Sequence, residues 1–114
     1  VNGLDSSPRD ALAQRLRGLL ASCPNVREVA MFGGLSFMVD ERMAVAAGRD
    51  GDLLVRTDPT EHDALVRRGG VPARMGDHRP MGPGWLTVPS ARISDDVELG
   101  YWVEVGIGSR RSSG

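Results

Sequence analysis

The stretch Val26-Arg27-Glu28-Val29-Ala30-Met31-Phe32-Gly33-Gly34-Leu35-Ser36-Phe37-Met38-Val39-Asp40-Glu41-Arg42-Met43-Ala44-Val45-Ala46-Ala47 decides the fold. Its apolar segments Val26–Phe32, Leu35–Val39 and Met43–Gly48 are short and separated by turn chemistry. Gly33-Gly34 is a two-residue hairpin signal, and Asp40-Glu41-Arg42 reads as a three-residue polar loop. A fourth segment, Leu53–Arg56, follows Asp50-Gly51, residue types that tolerate a positive φ. Connections this short make consecutive strands antiparallel. The spacing predicts a four-stranded antiparallel meander. Alternation then assigns sides: Leu35, Phe37 and Val39 point one way, and Ser36 and Met38 the other. Met43, Val45 and Ala47 form a row matching the first.

Residues 7–22, upstream, have the pattern of an amphipathic helix. Ser7 suits the N-cap, Pro8 the first helical position, and Asp10 the positive end of the helix dipole. Leu12, Leu16, Leu19 and Leu20 make one buried stripe, and Pro24-Asn25 ends it. Downstream, Asp58-Pro59-Thr60-Glu61 opens a short second helix, with Glu61 placed to reach back as in a capping box. Leu65 and Val66 are its inward contacts, and Gly69-Gly70 stops it.

Residues 71–84 carry Pro72, Pro80, Pro83, Gly76, Gly82 and Gly84, a density of breakers that predicts a loop with a brief strand near Pro72–Met75. Trp85–Val88 reads as one more strand. The last helix starts near Ser94-Asp95-Asp96, with Glu98 at capping-box distance from Asp95. Apolar residues wrap most of its circumference, so it is expected to pack on two sides or beneath another chain. The fold expected is α+β: N-terminal helix, four-stranded meander, short helix, loop plus one or two further strands, C-terminal helix. Residues 1–108 form a single domain in this reading, and 109–114 a polar disordered tail.

The chain has 114 residues, 40% hydrophobic and 25% charged, in the range of an ordinary globular domain. Fourteen arginines, with no lysine, oppose fifteen acids for a net charge of −1, which excludes a strongly basic nucleic-acid scavenger. The near-neutrality hides two patches. Arg67, Arg68, Arg74 and Arg79 stand against Asp77, whereas the final helix carries Asp95, Asp96, Glu98 and Glu104. No apolar run approaches the ~20 residues of a membrane span, and no charged-then-apolar leader opens the sequence. A cytoplasmic protein with no membrane partner is expected. The lone Cys23 forms no internal disulfide and, in the apolar tail of the first helix, reads as an inert thiol.

Reactive constellations are weak. His62 and His78 lie too far apart for tight zinc-ligand spacing, so no metal is expected. No Gly-x-Ser-x-Gly elbow is present, and no Cys has a His partner fixed by spacing. Asp95-Asp96 and Asp50-x-Asp52 read as a helix start and a turn. Gly33-Gly34 lacks the pattern of a phosphate cradle. No cofactor and no enzymatic activity are expected. The favoured partners are another protein or a second copy of the chain in a homodimer, with Tyr101, Trp102 and Trp85 as candidate contacts. Nucleic acid is the less favoured alternative, through Arg67, Arg68, Arg74 and Arg79 with stacking on Trp85. A third reading is an enzyme with a small-molecule pocket formed by Asp77, His78 and neighbouring arginines.

Certain words recur in order. Met31-Phe32-Gly33-Gly34 follows the strand that begins Val26-Arg27-Glu28, and Met43-Ala44 follows the next turn. Then come Asp52-Leu53-Leu54-Val55-Arg56-Thr57-Asp58, Trp85-Leu86-Thr87-Val88-Pro89, and Asp95-Asp96-Val97-Glu98-Leu99 leading to Trp102. Together they resemble the TfoX N-terminal domain, or TfoX/Sxy family, over about residues 9–107. The resemblance implies an α+β domain whose antiparallel sheet is flanked by helices. It also implies kinship with regulators of competence genes that work with the cyclic-AMP receptor protein at promoters. Full-length members carry a second, helical domain, so a single-domain member without it is expected here. The resemblance brings no catalytic motif that maps onto this sequence.

Overall fold

Ser7 caps the first helix, its hydroxyl accepting from the Asp10 backbone N–H at 3.1 Å. Helix α1 (Pro8–Leu19) follows with Pro8 in its first turn. The computed structural model describes residues 7–31, 33–75 and 79–112, without the side chains of residues 31, 75, 79, 80 and 110–112. Leu12, Ala13, Leu16 and Leu20 are buried, but Leu19 is 40% exposed. It falls just outside the arc that those four residues span, so the stripe is narrower than the leucine pattern predicted.

The meander is present. Strands β1 (Val26–Met31), β2 (Gly34–Val39), β3 (Arg42–Ala47) and β4 (Leu53–Arg56) pair antiparallel in sequence order. Both hairpin connections differ in detail from expectation. Met31 pairs with Gly34, so Gly34 belongs to β2 rather than to the turn. Val39 pairs with Arg42, which shortens the second connection to Asp40-Glu41. Both turn residues have positive φ, 53° and 67°, the conformation whose twist suits a two-residue hairpin. Asp40 is held there by its N–H donating to the Asn25 carbonyl and its carboxylate accepting from Asn25 Nδ2 at 3.0 Å.

The inward row on β3 also departs from strict alternation. Phe37 pairs with Val45 but Met38 with Met43, so Ala44 is an extra residue, a β-bulge. Val45 and Ala47 stay in the core with Ala44, and Met43 turns to the other side opposite Met38.

After β4, Asp58 caps a 3₁₀ turn (Pro59–Glu61), its carboxylate accepting from the Thr60 N–H at 3.0 Å. The turn runs into α2 (His62–Arg68), which ends at Gly69 with φ 128°. Residues 71–84 hold more order than a loop: β5 (Val71–Pro72), then β6 (Arg74–Met75) and β7 (Arg79–Pro80) as a small separate hairpin. β8 (Trp85–Val88) inserts between β4 and β5, completing a six-stranded sheet in the order β1-β2-β3-β4-β8-β5. Because β4 and β5 are both antiparallel to β8, they run parallel to each other, and α2 makes the crossover.

Helix α3 (Asp96–Ser112) closes the domain. Asp95 caps it, accepting from the Val97 N–H at 3.1 Å. The helix packs against β3 and β4 and touches α1. Gly106 permits this approach, since a Cβ there would strike the Ala44 carbonyl oxygen and Val45 Cγ1. The tail expected from residue 109 is instead helical through Ser112, and Ser109 is buried with its hydroxyl donating to the Gly106 carbonyl at 2.7 Å. The result is two layers, with α1, α2 and α3 on one face of the sheet around a core centred on Phe37, Val45, Leu53, Val55, Leu86 and Trp102.

Candidate interaction surfaces

The three aromatic candidates divide. Trp102 is fully buried in the core, with Tyr101 packed edge-on against it at 5.2 Å between ring centroids. An interaction anchor must be reachable, so Trp102 is a core residue and not a contact. Its indole Nε1 donates to Glu98 Oε2 at 3.0 Å. Glu98 thus serves the core rather than closing a capping box. Tyr101 remains half-buried, and the Arg68 guanidinium lies 3.7 Å from its ring centroid while its Nη2 reaches Glu98 Oε1 at 3.4 Å.

Trp85, also half-buried, sits across from Arg56 in the β4–β8 register, with the guanidinium carbon 5.4 Å from its ring centroid. It belongs to the sheet face opposite the helices, as alternation from the buried Leu86 requires.

That opposite face is unusual for an antiparallel sheet. Pairing registers run Val29, Ser36, Ala46, Leu54 and Thr87 to Val71 across all six strands. Met38, Met43 and Trp85 flank this row, and none of its apolar members belongs to the core cluster. Among the described residues no helix packs here. A solvated antiparallel face normally alternates to polar side chains, whereas this one sets Val29, Met38, Met43, Ala46, Leu54, Trp85 and Val71 among Arg27, Ser36, Arg56 and Thr87, with Ser36 and Ala46 buried. Val71 is 47% exposed; Met38, Met43, Leu54 and Thr87 are half-buried. The sequence signal existed, since Met43–Ala47 and Leu53–Val55 are unbroken apolar runs, the mark of a strand covered on both sides.

On the helical side, α2 and α3 enclose a groove of about 360 Å³ lined by Asp58, Glu61, Leu65, Tyr101, Glu104, Val105, Gly108 and Ser109. A smaller hollow of about 160 Å³ adjoins it through Asp58 and Ser109 and reaches Arg56 and Trp85. Tyr101 and Trp85, remote in sequence, therefore line neighbouring hollows at one end of the sheet.

The four arginines expected to contact nucleic acid are differently placed. Arg68 is turned onto Tyr101 and Glu98 of its own chain. Arg67 and Arg74 are exposed, on α2 and β6. The side chain of Arg79 lies outside the described residues, as do Asp77 and His78 of the enzymatic reading.

His62 Nδ1 lies 3.1 Å from the Pro83 carbonyl oxygen, pinning the β7–β8 connection to α2. Thr57 grips the same carbonyl at 3.0 Å. Asp52 caps the 3₁₀ turn Ser90–Arg92, accepting from the Ser90 N–H at 2.9 Å. Among the described residues no group of three or more His, Cys, Asp or Glu converges to hold a metal ion. No described helix is long and apolar enough to cross a membrane.

The family model of the TfoX N-terminal domain matches residues 18–109. The chain belongs to the TfoX N-terminal domain family. The match begins near the end of α1 and stops at Ser109, the last described side chain of α3. It covers every strand, whereas most of α1 lies ahead of it. No curated protein matches the chain.

Proposed function

We propose that this TfoX N-terminal domain is a non-enzymatic, cytoplasmic protein-interaction module with a regulatory role, binding a protein partner through the outer face of its sheet. The observation that supports this reading is the apolar row from Val29 to Val71, which carries no helix among the described residues. Apolar area left in water on the outer face of the sheet is costly, at about 25 cal/mol per Å², and a partner that covers it recovers that free energy. Ala46 and Leu54 lie at the centre of the row with Thr87 one strand from its Val71 end, and Trp85 at its rim supplies the kind of large amphipathic ring that anchors interfaces.

The test is photo-crosslinking in the native cell from a benzophenone amino acid placed at Thr87, with Gln14 on the exposed side of α1 as control. Discrete protein adducts from position 87 and none from position 14 are expected. Equal labelling from both positions, or adducts to nucleic acid in place of protein, would overturn the reading.

A further inference from the structure

The groove between α2 and α3 has a floor and a rim of different character. Leu65, Tyr101 and Val105 supply apolar surface, and Glu61 and Glu104 stand exposed at its edge. Neither Glu61 nor Glu104 forms an ion pair among the described residues. No arginine lines the groove among the described residues, although the chain has fourteen. At about 360 Å³ it falls in the size range of small-ligand sites, room for one long side chain with an apolar neighbour.

Tyr101 already shows what it accepts. The Arg68 guanidinium lies over its ring at 3.7 Å, with its charge met by Glu98. An aromatic ring beside a carboxylate is a site for a guanidinium or ammonium group, and Glu104, three residues along α3 from Tyr101, lines the groove together with it.

We propose that this groove receives an arginine or lysine side chain carried on a short apolar segment of a partner protein, the cation between Glu61 and Glu104 and the apolar neighbour on Leu65 and Val105. The inference rests on the chain being a protein-interaction module, but it uses a surface separate from the outer sheet face. Loss of crosslinking at Thr87 therefore leaves it standing, and its own failure leaves the sheet-face reading intact.

The probe is a fluorescent peptide, acetyl-Leu-Arg-Leu-Arg-amide, titrated by anisotropy into the full chain at low salt, with the Leu-Glu-Leu-Glu peptide as its charge-reversed counterpart. Saturable binding of the arginine peptide is expected, weakened roughly tenfold in the Glu61→Gln, Glu104→Gln double variant and by added salt. Asp63→Asn, an equally exposed acid of α2 outside the groove, should leave binding within about twofold, as distant exposed charges contribute little. Equal loss in Asp63→Asn would reduce the effect to general attraction and overturn the proposal. So would equally tight binding of agmatine alone, which points to a free cation. A concentration-dependent dimer that the double variant converts to monomer, with no peptide binding, would assign the groove to a second copy and overturn it as well.

Discussion

Trp102 Nε1 donates to Glu98 Oε2 at 3.0 Å, one turn back along α3, while Glu98 Oε1 meets the Arg68 guanidinium at 3.4 Å. One carboxylate thus satisfies the polar atom of the largest buried side chain and ties α2 to α3. An indole N–H left without an acceptor in the core keeps its full desolvation penalty. Glu98→Ala should therefore lower stability by about 1–3 kcal/mol. Glu98→Gln keeps an acceptor oxygen for the indole and loses only a partly exposed ion pair, for a loss below about 1 kcal/mol. Urea unfolding at constant m-value separates the two variants; equal midpoints would show that the indole bond contributes nothing.

Gly106 and Gly100 make a paired test on the same helix. A Cβ at Gly106 would collide with the Ala44 carbonyl and Val45 Cγ1, whereas one at Gly100 meets nothing within 4 Å. Gly106→Ala should destabilise by about 1–3 kcal/mol through overpacking against the bulge, despite alanine's better helix propensity. Gly100→Ala should stabilise by up to about 1 kcal/mol. Thermal melts of both read the opposite signs directly.

Much of the fold was legible because it rests on local rules. Ser7, Asp58 and Asp95 each cap where their positions predicted, and β8 spans the residues expected of it. What stayed hidden depended on contacts remote in sequence. Alternation cannot foresee the Ala44 bulge, which lies under Gly106 some sixty residues later. Capping-box spacing placed Glu98 toward its own N-cap, but the indole one turn on claims it. Composition made Ser109 tail-like, and only the α3 packing that buries it shows otherwise. The site was less legible than the fold. Tyr101 and Trp85 were singled out for ring chemistry alone, whereas Glu61, Leu65 and Glu104 share a groove only once α2 crosses beside α3.

Leu19 and Leu20 show how far one helical position matters. Leu19 is 40% exposed and Leu20 only 2%. Leu19→Gln should change stability by no more than about 0.5 kcal/mol, while Leu20→Ala should cost about 2–5 kcal/mol by emptying a core site. Chemical denaturation of the two variants checks both values.

The acid limb of the stability curve should depend on the pair that joins α1 to the sheet edge. Arg17 Nε and Nη2 donate to Glu28 Oε2 and Oε1 at 2.8 and 2.9 Å, a bidentate contact between helix and edge strand. Hydrogen bonding to Arg17 lowers the Glu28 carboxyl below its ordinary value of 4.5, against a smaller opposing effect of desolvation. Glu41 is lowered in the same way by its hydrogen bonds with Arg27. A carboxyl whose folded pKa lies below its unfolded one binds fewer protons when folded. Its stabilisation is therefore full above about pH 4.5 and fades as pH falls through the lower folded value. Both pairs are exposed and screened by salt, so the Arg17–Glu28 share of the slope is small. Arg17→Gln should flatten the fall in melting temperature between pH 5 and about pH 3 and leave a smaller difference in high salt. A variant curve parallel to wild type throughout that window would show that the Arg17–Glu28 pair does not couple helix to sheet.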